Sequence, residues 1–266
     1  MTAPLFPEDI KRYLNDNLKN LRIETFPSLT STNLVLKELA MHNEPEGKII
    51  IAESQTAGHG RFNRPFFSPS GSGIYMSILL RPAFEAKDSV LITTAAAVAA
   101  ANAIETVTGQ PAQIKWINDI WVGSRKVCGI LAEAAISPED ARLDYVVLGI
   151  GINVFEPDGG FPGELSHIAA AVSSGIEKSR DIRARITACF LNGLMAYYPV
   201  LTERTFLPEY RRRSFILGKE ITVLGSGGSL KATALSVDDD CNLVVRFADG
   251  TESALNSGEI SVRLSE

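Results

Sequence analysis

Between Asp88 and Glu105 the chain carries no charged side chain, only SVLITTAAAVAAANAI. A segment of that length without charge must be hidden on most of its circumference, in lipid or inside a protein. Thr93, Thr94 and Asn102 interrupt it, so no apolar run reaches the ~18 residues that mark a membrane span. The spacing predicts a packed helix from about Asp88 to Thr108, with Gly109 as its C-terminal stop.

The flanking segments predict the elements this helix packs among. KIIIAE (48–53), GIYMSILL (73–80) and YVVLGIGINV (145–154) are apolar runs of strand length. NLVLKELAM has its apolar residues on one helical face, with Ser31 or Thr32 as N-cap. A short opening helix is expected from Pro7 to Asn20, and another from Asp181 to Tyr198. QIKWINDIWVGSRKVCGILAEA predicts a strand to Trp116, a turn at Asn118 and Asp119, and a hairpin through Gly123 and Ser124. Mixed strands and helices indicate an α+β domain with a mixed sheet. After Phe215 the pattern changes to short strands (KEITVL, SLKATALSV, NLVVRF, ESAL, ISVRL) broken by GSGG, DDD, ADG and NSGE. That is the pattern of a small β barrel. The expected division is residues 1–215 and 216–266. So small a second domain is expected to pack on the first.

Charge and cysteine usage narrow the function. Within 266 residues the net charge is −5, which argues against nonspecific nucleic-acid binding. Cys128, Cys189 and Cys241 are scattered, as are His42, His59 and His167, so neither a disulfide framework nor a zinc spacing is visible. MTAPLFPEDIKRYL lacks the basic start and apolar core of a signal peptide. Reduced thiols and the absence of a leader predict a cytoplasmic protein. The glycines at 149 and 151 follow a strand but lack the rest of a dinucleotide fingerprint, and GSGG at 225–228 has no following helix or lysine–threonine pair. Both are expected to be structural turns.

GHGRFNRPFFSPSGSG (58–73) is different, because glycine, arginine and phenylalanine concentrate there. Glycine lets backbone approach a ligand closely, arginine matches carboxylate and phosphate oxygens, and phenylalanine offers a flat face. It is one of an ordered set: Ser31-Thr32-Asn33, GHGRFNR (58–64), KWIND (115–119), RKVCGILAE (125–133), GIGIN (149–153) and GEISVR (258–263). In this set, over roughly residues 22 to 264, the chain resembles the biotin protein ligases. The resemblance implies a mixed-sheet catalytic domain of the biotin/lipoate ligase type, followed by an SH3-like barrel.

It also implies an activity. Biotin's carboxylate attacks the α-phosphate of ATP to give biotinyl-5′-AMP, and a lysine of a biotin carboxyl carrier protein then takes the biotin. Two anions meet in the first step, which calls for fixed cations and N–H donors. The implied biotin site comprises Ser31, Thr32, Asn33, Gln55, Gly58, His59, Gly60, Arg61, Lys126, Gly129, Gly149 and Gly151. The implied ATP and adenylate contacts are Arg61, Arg64, Phe66, Lys115, Asn118, Asp119, Lys126 and Asn153, with Phe66 stacking near adenine. Lys126, Arg61 and Asp119 are the implied catalytic residues, and Asp119 is the candidate Mg2+ ligand. A lipoate or octanoate ligase of the same superfamily is the alternative. The implied partner is a carboxylase biotin domain, without DNA or membrane, and monomer and homodimer both remain open.

The pattern departs from the family at four places. His59 stands where arginine is usual, Thr30 where aspartate is frequent, and Phe62 and Ile117 replace arginine and proline. About 20 residues precede the catalytic segment, so a ligase without the N-terminal repressor module is expected.

Overall fold

The computed structural model describes residues 4–137, 142–173, 180–225, 228–256 and 261–264. In chain order come α1 (Pro7–Lys11), β1 (Arg22–Phe26), α2 (Thr32–Met41), β2 (Lys48–Ala52), β3 (Gly73–Leu80) and α3 (Ser89–Thr108). Then follow β4 (Ala112–Lys115), β5 (Asp119–Val122), β6 (Arg125–Ile136), β7 (Leu143–Asn153), α4 (Leu165–Ile168), α5 (Arg180–Tyr197) and α6 (Leu207–Arg213). The last strands are β8 (Glu220–Gly225), β9 (Gly228–Val237), β10 (Leu243–Phe247), β11 (Glu252–Leu255) and β12 (Ser261–Leu264).

A seven-stranded sheet has the order β1-β2-β3-β7-β6-β5-β4. Only β1 and β2 run parallel; the other neighbours are antiparallel. Because side chains alternate across a strand, each long strand serves two cores. Ile49, Ile51, Met76, Ile78, Leu148 and Ile150 face a main cluster that holds the buried residues of α3. Ile50, Leu79, Tyr145 and Val147 face the other way, onto Leu36 and Ala40 of α2. Helix α3 is long and apolar enough to cross a membrane, yet it is the central core helix here. Its alanines allow close packing: a Cβ placed at Gly193 of α5 would lie 3.4 Å from the Ala99 Cβ. Gly109 ends α3 at φ 71°, the left-handed position where glycine is unstrained.

The opening helix is shorter than expected. It stops at Lys11, and a separate 3-10 turn covers Asp16–Leu18. A tertiary contact accounts for the break: the Asn192 side chain of α5 accepts from the Asn15 N–H at 2.9 Å and donates to the Tyr13 carbonyl at 3.0 Å. Asn15 is held extended, with ψ 150°.

The five C-terminal strands form an antiparallel sheet ordered β11-β10-β9-β8-β12. It is fastened to the larger sheet. The Trp116 indole donates to the Cys241 carbonyl at 3.0 Å, and Arg211 Nε donates to the Val237 carbonyl at 2.7 Å. Ile221, Ala234, Leu243 and Val245 belong to the same buried cluster as α3. Of the GSGG turn, 226–227 lie outside the described residues, and so do 258–260 of GEISVR.

Candidate active site

On the α2 side of the large sheet, the side chains shrink where the strands emerge from under the helix. Along β7 that face reads Tyr145, Val147, Gly149, Gly151. Gly149 pairs with Ser77 of β3, and Gly151 pairs with Gly129 of β6. The result is a bare patch, and a pocket lies over it. The glycines are required by close approach. A Cβ at Gly149 would lie 2.2 Å from Asn33 Oδ1, and one at Gly151 would lie 2.4 Å from the Phe66 ring.

The polar edge comes from the start of α2. Ser31, Thr32 and Asn33 are all buried. Ser31 is the N-cap by position, but its side chain makes no capping hydrogen bond. Gln55 does that work from outside the helix: its Oε1 accepts from the Thr32 N–H at 2.8 Å and lies 3.1 Å from Thr32 Oγ1. Gln55 Nε2 donates to Ser68 Oγ at 3.1 Å, tying this edge to the glycine-rich loop. Fully buried Ser77 completes the network, 2.7 Å from Thr32 Oγ1 and 2.6 Å from Asn33 Oδ1. Sequence reading missed Ser77, although it is the one small polar residue in GIYMSILL.

The glycine-rich loop folds back over the patch. Phe66 N–H donates to the Gly58 carbonyl and Gly60 N–H to the Arg64 carbonyl, both at 2.8 Å. Its tip is a tight turn with Phe62 and Asn63 at φ 57° and 53°. The Phe62 ring lies under the Arg61 and Arg64 guanidiniums at 5.0 and 5.9 Å, a cation–π arrangement. His59 and Gly60 reach the pocket, and the Phe66 ring rests on its glycine floor. The remaining space is about 60 Å³.

At the far end stands a charged group. Asp119 is the first residue of β5, not part of the turn, and pairs with Gly129 of β6; Lys126 of β6 pairs with Trp121, and its side chain reaches along the strands to Asp119. Lys126 Nζ is 2.6 Å from Asp119 Oδ1, and both are about three-quarters shielded from solvent. Asn118 is fixed by donating Nδ2 to the Ile130 carbonyl at 2.7 Å, which leaves its Oδ1 to accept from Arg61 at 3.4 Å. Burial lowers the pKa of Arg61, partly countered by the charge of Asp119. Burial also pushes the Cys128 thiol far up, so it is an inert neighbour.

The structure thus gathers the α2 edge, Gln55, His59, Gly60 and Phe66 with Asn118, Lys126 and the three sheet glycines around one cavity. Arg61 and Asp119 touch residues of that lining. Gly58 packs behind it, against Gln55 and Ser68. Lys115 lies over the Trp121 ring at 5.6 Å, Arg64 is exposed beside Phe62, and the Asn153 carbonyl accepts from the Val172 N–H. These last three do not line the cavity. Among the described residues no three histidine, cysteine or acidic side chains cluster as a metal site.

Comparison with known proteins returns two family matches along the chain. Residues 25–153 match the Biotin/lipoate A/B protein ligase family, and residues 216–263 match the Biotin protein ligase C terminal domain. The chain is 34% identical over 224 residues to the Bifunctional ligase/repressor BirA of Bacillus subtilis, covering 84% of this chain and 68% of that one. It is 28% identical over 240 residues to the Biotin--[acetyl-CoA-carboxylase] ligase of Mycobacterium tuberculosis, covering 86% and 85%. Biotin protein ligase from Aquifex aeolicus, solved in complex with biotin and ATP, superposes with TM-score 0.73 at 25% identity, over 92% of this chain and 99% of that one. Fold and site define a member of the biotin/lipoate ligase class. Within that class, the chain belongs to the biotin protein ligase family.

Proposed function

We propose that the protein is an ATP-dependent ligase that makes biotinyl-5′-AMP and transfers biotin to a lysine of a biotin carboxyl carrier domain. The observation that carries this reading is the single cavity joining a bare glycine floor, a hydroxyl-and-amide edge and the Lys126–Asp119 pair. A flat bicyclic urea fits such a site. Its rings lie on backbone, with Phe66 against their other face rather than against adenine. Its donors and acceptors meet Ser31, Thr32, Asn33 and Gln55.

The carboxylate tail then points toward Lys126. In the first step a biotin carboxylate oxygen bonds to the α-phosphorus, the bond from that phosphorus to the bridging oxygen breaks, and pyrophosphate leaves. Lys126 and Arg61 offset the charge that accumulates. Lys126 is held by Asp119 beforehand, so the incoming anion exchanges one carboxylate partner for another. Arg64, Lys115, Asn118 and Asn153 are assigned to the nucleotide. Asp119 would be the carboxylate that holds Mg2+ together with the ATP phosphates, since that ion is commonly held by one or two carboxylates plus phosphate oxygens, and the ion would offset phosphate charge. In the second step the acceptor lysine gives up its ammonium proton, its neutral nitrogen attacks the carbonyl carbon, and AMP leaves as a second N–H proton is lost. A lysine amine ordinarily holds its proton to about pH 10.4, so Asp119 is assigned as the group that receives it.

The experiment is to incubate purified protein with ATP, Mg2+ and either biotin or lipoate, and to measure pyrophosphate and acyl-adenylate. Biotin-dependent adenylate and labelling of one lysine on a carrier domain are expected. Adenylate formation with lipoate alone overturns the assignment.

A further inference from the structure

Glu133 has no role in the reaction just described, yet two elements besides its own strand converge on its carboxylate. Asn33 of α2 donates Nδ2 to Oε2 at 2.8 Å. Lys37, one turn further along α2, lies 3.0 Å from Oε1. His59 of the glycine-rich loop brings Nε2 to 3.6 Å of Oε2. Glu133 sits on β6 opposite Val147, on the α2 side of the sheet. It does not line the cavity; Asn33 and His59 do. Partial burial works against its charge, but hydrogen bonds from Asn33 and Lys37 outweigh that and hold its carboxyl below the usual range.

The contact to Asn33 has a directional consequence. An amide has one donor end and one acceptor end. With its NH2 spent on Glu133, Asn33 must turn its carbonyl toward Ser77 and the bare Gly149 position. Removal of the carboxylate frees the amide to rotate and present a donor there instead. The His59 ring, 3.6 Å from Oε2, gives the loop over the cavity an ion pair to the sheet beneath it whenever the imidazole is protonated. Lys37 lies closer to the same carboxylate, so the His59 contact is the weaker arm.

We propose that Glu133 is the positioning residue of the biotin pocket, orienting the Asn33 amide and latching the glycine-rich loop through His59. The proposal rests on the reading that this cavity takes biotin. Glu133 touches no substrate and acts through its two partners, so it should govern biotin capture rather than nucleotide binding or the chemical step.

Calorimetric biotin titrations of wild type, Glu133→Gln, His59→Ala and the double variant test this, with the KM for ATP and the saturated kcat measured alongside. Wild type that binds no biotin refutes the biotin reading itself. With wild-type binding established, Glu133→Gln should weaken biotin affinity about tenfold, the size of one charge-assisted contact. KM for ATP and kcat at saturating biotin should stay within about twofold, and the double variant should lose less than the product of the two single losses. Glu133→Asp, which keeps the charge on a shorter arm, should recover part of the loss; it also serves as the reading variant where Glu133→Gln does not fold, and there it should still weaken biotin measurably. Unchanged biotin affinity, an equal rise in the KM for ATP, or fully multiplicative losses would each overturn the proposal.

Discussion

On the α3 side of the large sheet, Met76, Ile78, Leu148 and Ile150 meet a helix buried at nearly every position between Leu91 and Ile104. On the α2 side the same strands present Ser77, Gly149 and Gly151. Adjacent residues of one strand therefore serve opposite ends. The first face is filled with close-packed aliphatic side chains, so its loss is felt as stability. The second is stripped of side chains where a ligand must lie, so its alteration is felt as binding and rate. Each substitution below sits on one face and should register in only one of these readouts.

The largest effect is expected at Lys126, on the reactive side. Removing one preorganised electrostatic group typically costs ~10² to 10³ in rate. Lys126→Ala should slow adenylate formation by about that factor in rapid-quench measurements. The thermal midpoint should move little, because the lysine supports no apolar core and loses only a partly exposed pair with Asp119. Acceptor labelling from preformed biotinyl-adenylate should suffer less. Adenylation at the wild-type rate would remove Lys126 from the catalytic group.

Next comes the glycine floor. At Gly149 a methyl group would approach Asn33 Oδ1 to 2.2 Å, so Asn33 must move. One carbon in a tight pocket commonly changes binding about 10- to 200-fold. Gly149→Ala should weaken biotin within that range while ATP binding is spared. An unaltered biotin affinity would mean that the ligand does not lie on this patch.

That floor also shows what the sequence conveyed and what it did not. The α3 face was legible because burial leaves a one-dimensional trace: the uncharged run, its Gly109 stop and the apolar strands appear as read. The five short C-terminal strands were equally legible from their turn clusters. The site was legible only in part as a set of residue types: GIGIN, KWIND and the glycine-rich loop each contribute to the cavity, but Asn153, Lys115 and Arg64 of those same motifs lie outside its lining. Its partnerships were not. That Gln55 caps α2 in place of Ser31, that Ser77 backs Asn33, and that Glu133 gathers three groups are facts of strand register and long-range contact. The early end of α1 has the same origin in Asn192. Local propensity sees neither.

A smaller effect should follow on the opposite face. Buried Ala99 of α3 faces Gly193 of α5, where an added Cβ would already touch it at 3.4 Å. Ala99→Leu adds carbon to a filled core, which typically costs about 1–3 kcal/mol. Thermal unfolding should shift downward, while biotin affinity and adenylation rate, measured well below the transition, should remain at wild-type values. A selective loss of biotin binding would show that the two faces are coupled through the sheet.

The smallest effect, and the finest test of the division, is Ser77→Ala. Ser77 belongs to a strand whose next residue, Ile78, points into the main core. Its Oγ lies within hydrogen-bond distance of Thr32 Oγ1 and Asn33 Oδ1, while Thr32 Oγ1 also approaches Gln55 Oε1. Those are three oxygen–oxygen contacts, but Ser77 and Thr32 have only one hydroxyl proton each. Asn33 cannot help, because its NH2 is committed to Glu133. One contact is therefore always short of a proton, and the network is less stabilising than its distances suggest. Ser77→Ala removes a proton and two contacts together. Thr32 keeps Gln55, and only Asn33 Oδ1 is left without its donor. The net cost should be about 1 kcal/mol of stability, the size of a single ordinary hydrogen bond. Biotin affinity should fall by less than about tenfold, since the free Asn33 carbonyl can still accept from a ureido N–H. Calorimetry and thermal unfolding on the same preparation read both quantities. A stability loss comparable to a large core truncation, about 2–5 kcal/mol, would place Ser77 with the packed face and remove the boundary drawn between residues 77 and 78.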